Sequence, residues 1–374
     1  MVVTKYKIII SSDELWCDVL HTPLQYAMEL SKSYKIYYVN PPVKWKLSNL
    51  INFKIKTKEI SDSILVIDYL NIFPVIFFKK LFVMMNDFIN FFLISKIVGS
   101  KQSDILFWKF DCFRMAYHFF IKPSYIIYHV IDNYMKQPLN LQLTKTANLV
   151  ITTHDRLVNP YKLINKNVIH IPQGVREAEL VPDHDKVNCI KNELGNFILF
   201  IGTISPDIDL NLLNDIVKKF TEYHLVIIGP KKNISGELLT KFNQLCKLEN
   251  VSYVGILNGA DLKNYVAASS VCLIPYDFNQ QASQVIRSPL KVINYIAQSK
   301  PVITTYDCEI PELKDKIIYQ AENPQMFIQL VGEALKGELL VDDTGVKKYL
   351  DRIIYNNLIE NIFSSLIKTK NNAG

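Results

Sequence analysis

The chain has 374 residues, 49% hydrophobic and 21% charged, a balance ordinary for a soluble globular protein and a length that suits two domains better than one core. Its six cysteines are scattered, with no C-x-x-C and no His/Cys ligand spacing, which argues against zinc and for a reducing, cytoplasmic setting. Formal charge is +6 but uneven: residues 1–175 hold 21 Lys and Arg against 12 Asp and Glu, and the remainder 21 against 24. A basic first half suits an anionic partner (a membrane surface, a lipid diphosphate or nucleic acid), or reflects a Lys-rich composition.

Met1–Ile10 carries two lysines and runs straight into a strand pattern, so no signal peptide is expected. Strands are predicted at Tyr6–Ser11, Lys35–Val39, Leu65–Asp68, Asp104–Trp108, Tyr125–Val130, Leu149–Thr152 and Val168–Ile171. Helical patterns fall between most of them, including Pro23–Ser33 and Leu81–Val98. Lys79, Lys80, Asp87 and Lys96 interrupt the apolar segment Leu70–Val98, leaving no uncharged stretch of the roughly 18–20 residues a spanning helix needs. The segment reads as a core helix, or as an amphipathic helix lying on a bilayer with its lysines at the headgroups.

Between Val175 and Asn196 the pattern lapses into a polar stretch, which places a boundary between a first domain at 1–175 and a second at 176–374, the last helix being free to pack back on the first. In the second half, strands are predicted at Phe197–Gly202, His224–Ile228, Val251–Val254, Val271–Pro275, Val302–Thr304 and Ile317–Tyr319. Helices are predicted at Asp209–Phe220, Gly236–Leu248, Ala260–Ser269, Pro289–Gln298, Pro324–Lys336 and Lys347–Lys368. Short apolar strands alternating with helices mean parallel sheets covered on both faces. Open sheets of this kind bind ligands at the carboxyl ends of their strands, so the functional residues are expected just after strands.

The stretch from Ser288 to Thr305 carries the most information. Pro289 suits a first helical position, where its missing N–H costs nothing; Leu290, Ile293 and Ile296 recur at helical spacing, and Pro301 stops the helix. Free N–H groups at that start, the Ser288 hydroxyl and Lys291 make a receptor for an anion such as phosphate. Upstream, successive strands end in Gly202 with Thr203, in Gly229, in Gly255 and in Pro275-Tyr276. Glycine there lets backbone approach a ligand, or serves a plain strand-to-helix turn.

Together the segments F-I-G-x-I, L-V-I-I-G-P, N-V-x-x-x-G, L-I-P-Y and S-P-L-K resemble the donor-binding domain of nucleotide-sugar glycosyltransferases of the GT-B fold, over residues 196–305. They are most similar to the GT4-like branch that includes teichuronic-acid and other bacterial surface-polysaccharide transferases. Trp16, His21 and Tyr38–Pro42, then Tyr128–Asn133 and Pro172–Val175, look like that branch's first-domain segments. The resemblance implies an α/β chain of two Rossmann-like domains whose parallel sheets face a cleft. It implies a nucleoside-diphosphate sugar as donor, of the UDP-sugar type, with no cofactor and no metal. Gly202, Thr203, Gly229 and Tyr276 would line the donor site, and backbone near Gly255 would meet the nucleobase. Ser288, Pro289, Leu290 and Lys291 would hold the diphosphate, joined by Arg287 if that residue is not simply solvated. Trp16, His21 and His129 would contact the acceptor, unless they are packing residues.

Three departures stand out. Asn294 occupies the place of the family's ribose-binding Glu, Ile286 that of a second acid, and Ser205–Asp209 that of a basic pair. Asp207-x-Asp209 imitates a metal-binding D-x-D, but Asp209 sits where a helix N-cap belongs; Asp183-x-Asp185 is weaker still. For proton transfer, Asp132 follows a strand of the first domain and His154 follows another, and Asp132 reads equally as a turn cap. No H-x-x-x-H, G-x-S-x-G, P-loop or G-x-G-x-x-G is present, which excludes zincin, hydrolase, P-loop and dehydrogenase readings. The expectation is a cytoplasmic transferase, peripheral at the inner face of the membrane. It would pass a sugar to a saccharide or lipid-linked acceptor and take no nucleic-acid partner. A degenerate binder of nucleotide sugar or polysaccharide is the alternative, and a nucleotide-sugar epimerase a third reading.

Overall fold

A computed structural model describes residues 6–17, 21–43, 45–47, 54–74, 79–99, 104–117, 122–257, 259–278 and 290–371. The chain divides into two units, Met1–Pro172 with Tyr355–Gly374, and Gln173–Ile354. Each is an α/β unit built on a parallel sheet, the class expected from the alternation of short apolar strands and helices.

The first unit holds β1 (Lys7–Ser11), β2 (Ile36–Val39), β3 (Lys56–Ser61), β4 (Ile64–Asp68), β5 (Ile105–Lys109), β6 (Tyr125–Val130), β7 (Leu149–Thr152) and β8 (Val168–His170). Their order is β3-β4-β2-β1-β5-β6-β7-β8, parallel except for the antiparallel pair β3–β4. Strand β3 was not foreseen: every residue of Lys-Thr-Lys-Glu-Ile-Ser is exposed, so this edge strand has no apolar alternation to announce it. The helices are α1 (Thr22–Leu30), α2 (Lys79–Val98), α3 (Asn140–Thr146) and α4 (Val158–Lys162). Alternate strand residues fill two cores. Ile8, Ile10 and Trp108 lie on one face with α1, and Ile9, Val39 and Phe107 on the other with Phe91, Ile94 and Val98 of α2.

Helix α2 buries polar residues and exposes apolar ones. Asn86, Asp87 and Asn90 are buried, while Leu81, Phe88 and Phe92 stand about half exposed. The Asp87 carboxylate accepts backbone N–H groups of Met115 (2.8 Å), Ala116 (3.0 Å) and Tyr117 (3.3 Å), pinning the loop after β5. By length and composition Lys80–Val98 would suffice to cross a membrane, although 39% of that window is buried in the protein.

The second unit opens with α5 (Glu177–Leu180) and α6 (His184–Leu194), helices in the stretch expected to be linker. Asp183 caps α6, accepting N–H groups of Asp185 and Lys186, which accounts for that Asp-x-Asp. Strands β9 (Phe197–Ile201), β10 (His224–Ile228), β11 (Val251–Gly255), β12 (Val271–Ile274), β13 (Val302–Thr304) and β14 (Ile318–Gln320) form a parallel sheet in the order β11-β10-β9-β12-β13-β14. Helices α7 (Leu210–Lys219), α8 (Gly236–Leu245), α9 (Gly259–Ala268), α10 (Leu290–Ile296), α11 (Pro324–Leu335) and α12 (Asp343–Ile353) complete it.

The single helix predicted over Lys347–Lys368 is two. Ile354 takes extended backbone (φ −56°, ψ 133°) and bridges to Val175, and α13 (Tyr355–Asn371) then packs in the first unit. Tyr355, Leu358, Ile362 and Leu366 are buried there, with Tyr355 edge-on to Tyr26 at 4.8 Å.

Candidate functional site

In the second sheet β9 leads outward to β10 and β11 on one side and β12 leads to β13 and β14 on the other, so the direction of winding reverses between β9 and β12. Such switch points open a crevice at the carboxyl ends of the strands. Three of the expected glycines stand there side by side. Gly202 N–H donates to Ile228 O (2.8 Å), and Gly229 N–H to Gly255 O (2.7 Å). At Gly229 (φ +143°) a Cβ would fall 2.1 Å from Gly202 O, so the two loops pass backbone against backbone. Thr203, half-buried, follows in the same edge.

Lys291 reaches this point from α10. Its Nζ donates to the Tyr276 hydroxyl (3.0 Å) and stands 5.0 Å from the Tyr276 ring and 5.6 Å from that of Phe200. A Cβ on Gly202 would lie 2.4 Å from that ammonium, so the bare glycine is what lets the cation settle over the end of β9. Leu290, Lys291 and Asn294 are half-buried, with Lys291 and Asn294 three residues apart on one face of α10, while Val292, Ile293, Tyr295 and Ile296 are buried. The Tyr295 hydroxyl accepts the N–H of Ile201 (2.8 Å), which fixes the helix to β9 one residue before Gly202. Its place inside an apolar helix face concealed that role in the sequence. Arg287, Ser288 and Pro289 lie outside the described residues. Beside Tyr276 a cavity of about 320 Å³ opens at the ends of β12–β14, with Thr305, Gln320 and Glu322 among its walls.

Asp209 accepts the N–H of Leu212 (2.9 Å) and caps α7, while the Asp207 carboxylate accepts from the Ser205 hydroxyl (3.4 Å). Among the described residues no group of three or more His, Cys, Asp or Glu is placed to hold a metal ion.

The first sheet reverses between β1 and β5. A buried ionic cluster fills that point. Asp111 accepts from the Ser11 hydroxyl (3.2 Å) and lies 3.7 Å from Lys109 Nζ and 3.4 Å from Arg114 Nη2. Burial alone would raise the Asp111 carboxyl, but Lys109 and Arg114 outweigh it and hold it below the usual range. Arg114 also donates to Asn40 O, Ser12 O and the Tyr69 hydroxyl, tying the ends of β1, β2 and β4 together. Asp13, the second residue after β1, lines an adjacent cavity of about 250 Å³ with Asn71, Asp87 and Arg114. Asp13 is itself exposed to solvent at the mouth of this cavity; partial desolvation there, then the Asp111 and Glu14 carboxylates, push its carboxyl up to about 6. Sequence reasoning passed over this residue, since Ser-Ser-Asp-Glu after a strand looks like any polar loop.

The residues expected in the first unit separate. Asp132 is exposed after β6, and its carboxylate accepts the N–H of Asn133 (2.7 Å), a turn-capping bond. His129 corrects an expectation: it is wholly buried in β6, stacked on Phe110 (4.8 Å) and edge-on to Tyr26 (5.0 Å), and its Nδ1 accepts the Trp108 indole N–H (3.3 Å). Burial depresses it to about 3, so it is a neutral core residue without access to an acceptor. His154 is also buried, at 2% exposure, before a short 3-10 turn, which withholds it from a substrate in this structure. Trp16 packs edge-on against Tyr38 (5.2 Å) and donates its backbone N–H to Asn40. His21 precedes α1, 3.6 Å from Glu14 and partly open.

Residues 195–337 match the family model described as glycosyl transferases group 1. No curated protein sequence matches the chain. Among solved structures the chain is similar to HepE of Anabaena in complex with UDP and glucose (11% identity, TM-score 0.66, covering 96% of this chain and 99% of that one). It is similar also to sucrose-phosphate synthase of Thermosynechococcus elongatus (11%, 0.69, 99% and 100%) and to a glycosyltransferase of Rickettsia africae (12%, 0.63, 98% and 98%). The chain thus has the GT-B fold of these structures, and its residues 195–337 match the group 1 glycosyl transferase model.

Proposed function

We propose that the protein transfers a sugar from a nucleoside-diphosphate donor of the UDP-sugar type to a saccharide or lipid-linked acceptor, without a metal ion, in the building of a bacterial surface polysaccharide. The observation that carries this reading is the Lys291 ammonium set over bare Gly202 at the switch point of the second unit. A fixed cation there neutralises the charge that develops on a leaving diphosphate, the role a metal would otherwise fill. The Gly255 backbone, at the end of the same row of glycines, suits the nucleobase. Asn294, on the Lys291 face of α10, offers a hydroxyl partner without the charge a glutamate would add. In the first unit Asp13 is the better base for an acceptor hydroxyl, being open to a cavity where His129 and His154 are not. The exposed Leu81, Phe88 and Phe92 of α2, with Lys80 and with Lys96 over the Phe92 ring (4.3 Å), suit work at the inner surface of a membrane.

Calorimetry with UDP, GDP, CMP and ADP, with and without Mg²⁺, tests the donor site. One nucleoside diphosphate binds the wild type regardless of metal, and Lys291→Ala weakens it about 10- to 100-fold, the value of a charge-assisted hydrogen bond of ~1.5–3 kcal/mol. No binding by any of the four sinks the donor reading. Asn294 also favours a second reading, a non-catalytic binder of nucleotide sugar; turnover with any acceptor removes it.

A further inference from the structure

A second cavity of the first unit borders the one that Asp13 lines. It encloses about 460 Å³, within the range of small-molecule sites, and is walled by α2, the loop after β5 and the start of α3. Val83, Phe113, Leu139 and Leu141 make its walls apolar, and Phe113 and Leu141 are 44% and 50% exposed, unusual for side chains of this size. Its charged lining residues are Lys80, from α2, and Lys145, from α3. Both are exposed, and neither has an acidic partner among the described residues. An apolar hollow lined by two cations without acidic partners, one from each of two helices, is complementary to one class of ligand: a hydrocarbon chain ending in a phosphate or diphosphate.

Val83 and Phe113 also line the smaller cavity that contains Asp13, so the two hollows share a wall. An amphiphile seated in the larger one therefore lies next to the hollow that Asp13 lines. We propose that this cavity binds the hydrocarbon and phosphate portion of a lipid-linked acceptor, with Lys80 and Lys145 on the phosphate and the acceptor hydroxyl directed to the smaller cavity. The assignment rests on the transferase reading above and narrows its acceptor to the lipid-phosphate class.

The probe is farnesyl phosphate, used below its aggregation threshold and titrated into the full-length protein. Farnesol, inorganic phosphate and short-chain phosphatidic acid are the controls. The wild type binds farnesyl phosphate at least about tenfold more tightly than farnesol or inorganic phosphate, because only the probe satisfies both walls and cations. The double variant Lys80→Glu/Lys145→Glu loses that margin while its nucleoside-diphosphate binding, which reports an intact chain and the separate Lys291 site, is unchanged. Equal binding of the probe to wild type and variant overturns the proposal, as does farnesol matching the probe. Phosphatidic acid binding as well as farnesyl phosphate overturns the acceptor assignment in favour of a membrane lipid. Loss of nucleotide binding with farnesyl phosphate binding intact would sink the transferase reading instead, so the two failures are distinct.

Discussion

At the scale of single residues, two neighbouring glycines are expected to behave differently. In Gly202→Ala the new methyl meets the mobile end of Lys291, so the main effect is a displaced ammonium and a donor affinity that falls about as far as in Lys291→Ala, with a smaller loss of stability from the φ of +156°. In Gly229→Ala the methyl meets the Gly202 backbone, which cannot step aside, and the cost appears as lost stability of about 1–3 kcal/mol in urea unfolding. Asp13 gives a pH prediction. With its carboxyl raised to about 6, the base form accumulates as pH rises through 6, so kcat/KM climbs through that range and levels above it. Asp13→Asn removes this limb and lowers kcat by ~10²–10⁴, while nucleotide binding is kept. A pH profile that still rises near 6 in the variant assigns the base to another group, with exposed Asp132 next in line.

At the scale of elements, α2 and the loop after β5 depend on one carboxylate. Asp87→Ala leaves the N–H groups of Met115, Ala116 and Tyr117 without their acceptor, which is expected to cost about 1–3 kcal/mol and to speed amide exchange at those three positions. Unchanged exchange there would show that the loop is held by other means. The same helix explains a limit of pattern reading. Hydrophobic periodicity identifies a helix at 81–98, yet the face turned inward carries Asn86, Asp87 and Asn90. These polar residues sit beside buried Phe91 and Ile94 and are stable only because particular groups satisfy them, the Phe73 backbone for Asn86 and N–H groups about thirty residues away for Asp87, and periodicity does not register partners. Strand β3 escaped for the complementary reason, since an exposed edge strand is fixed by the ladder it joins and not by its own side chains.

At the scale of the whole molecule, the chain leaves the first unit after Pro172 and re-enters it at Tyr355. Truncation after Ile354 would strip buried Tyr355, Leu358, Ile362 and Leu366 from the first unit. At roughly 1.5–3 kcal/mol for each buried apolar side chain, that loss rivals the ~5–15 kcal/mol by which a domain is stable. The truncated protein is expected to lose the first unit's thermal transition and to keep nucleoside-diphosphate binding by the second. A single transition at the wild-type temperature would contradict this account of α13.

Local pattern was enough to establish much of this protein. Short apolar strands between amphipathic helices required parallel sheets, and parallel sheets place ligands at strand ends. Gly202, Gly229, Gly255, Tyr276 and Lys291 could therefore be picked out as residues following strands or opening a helix, because backbone freedom and charge are properties each residue carries with it. Tertiary structure alone decided which polar groups are sealed and which are open. Ser11 and Asp111, or Arg114 and Ser12, are about a hundred residues apart in the chain and become partners only when β1 and β5 lie side by side. That pairing buries one aspartate, and it raises Asp13 beside it. Packing around Trp108 and Tyr26 likewise turned His129 from an expected acceptor contact into core. Burial is a sum over neighbours from distant segments, and that sum exists only in the folded chain.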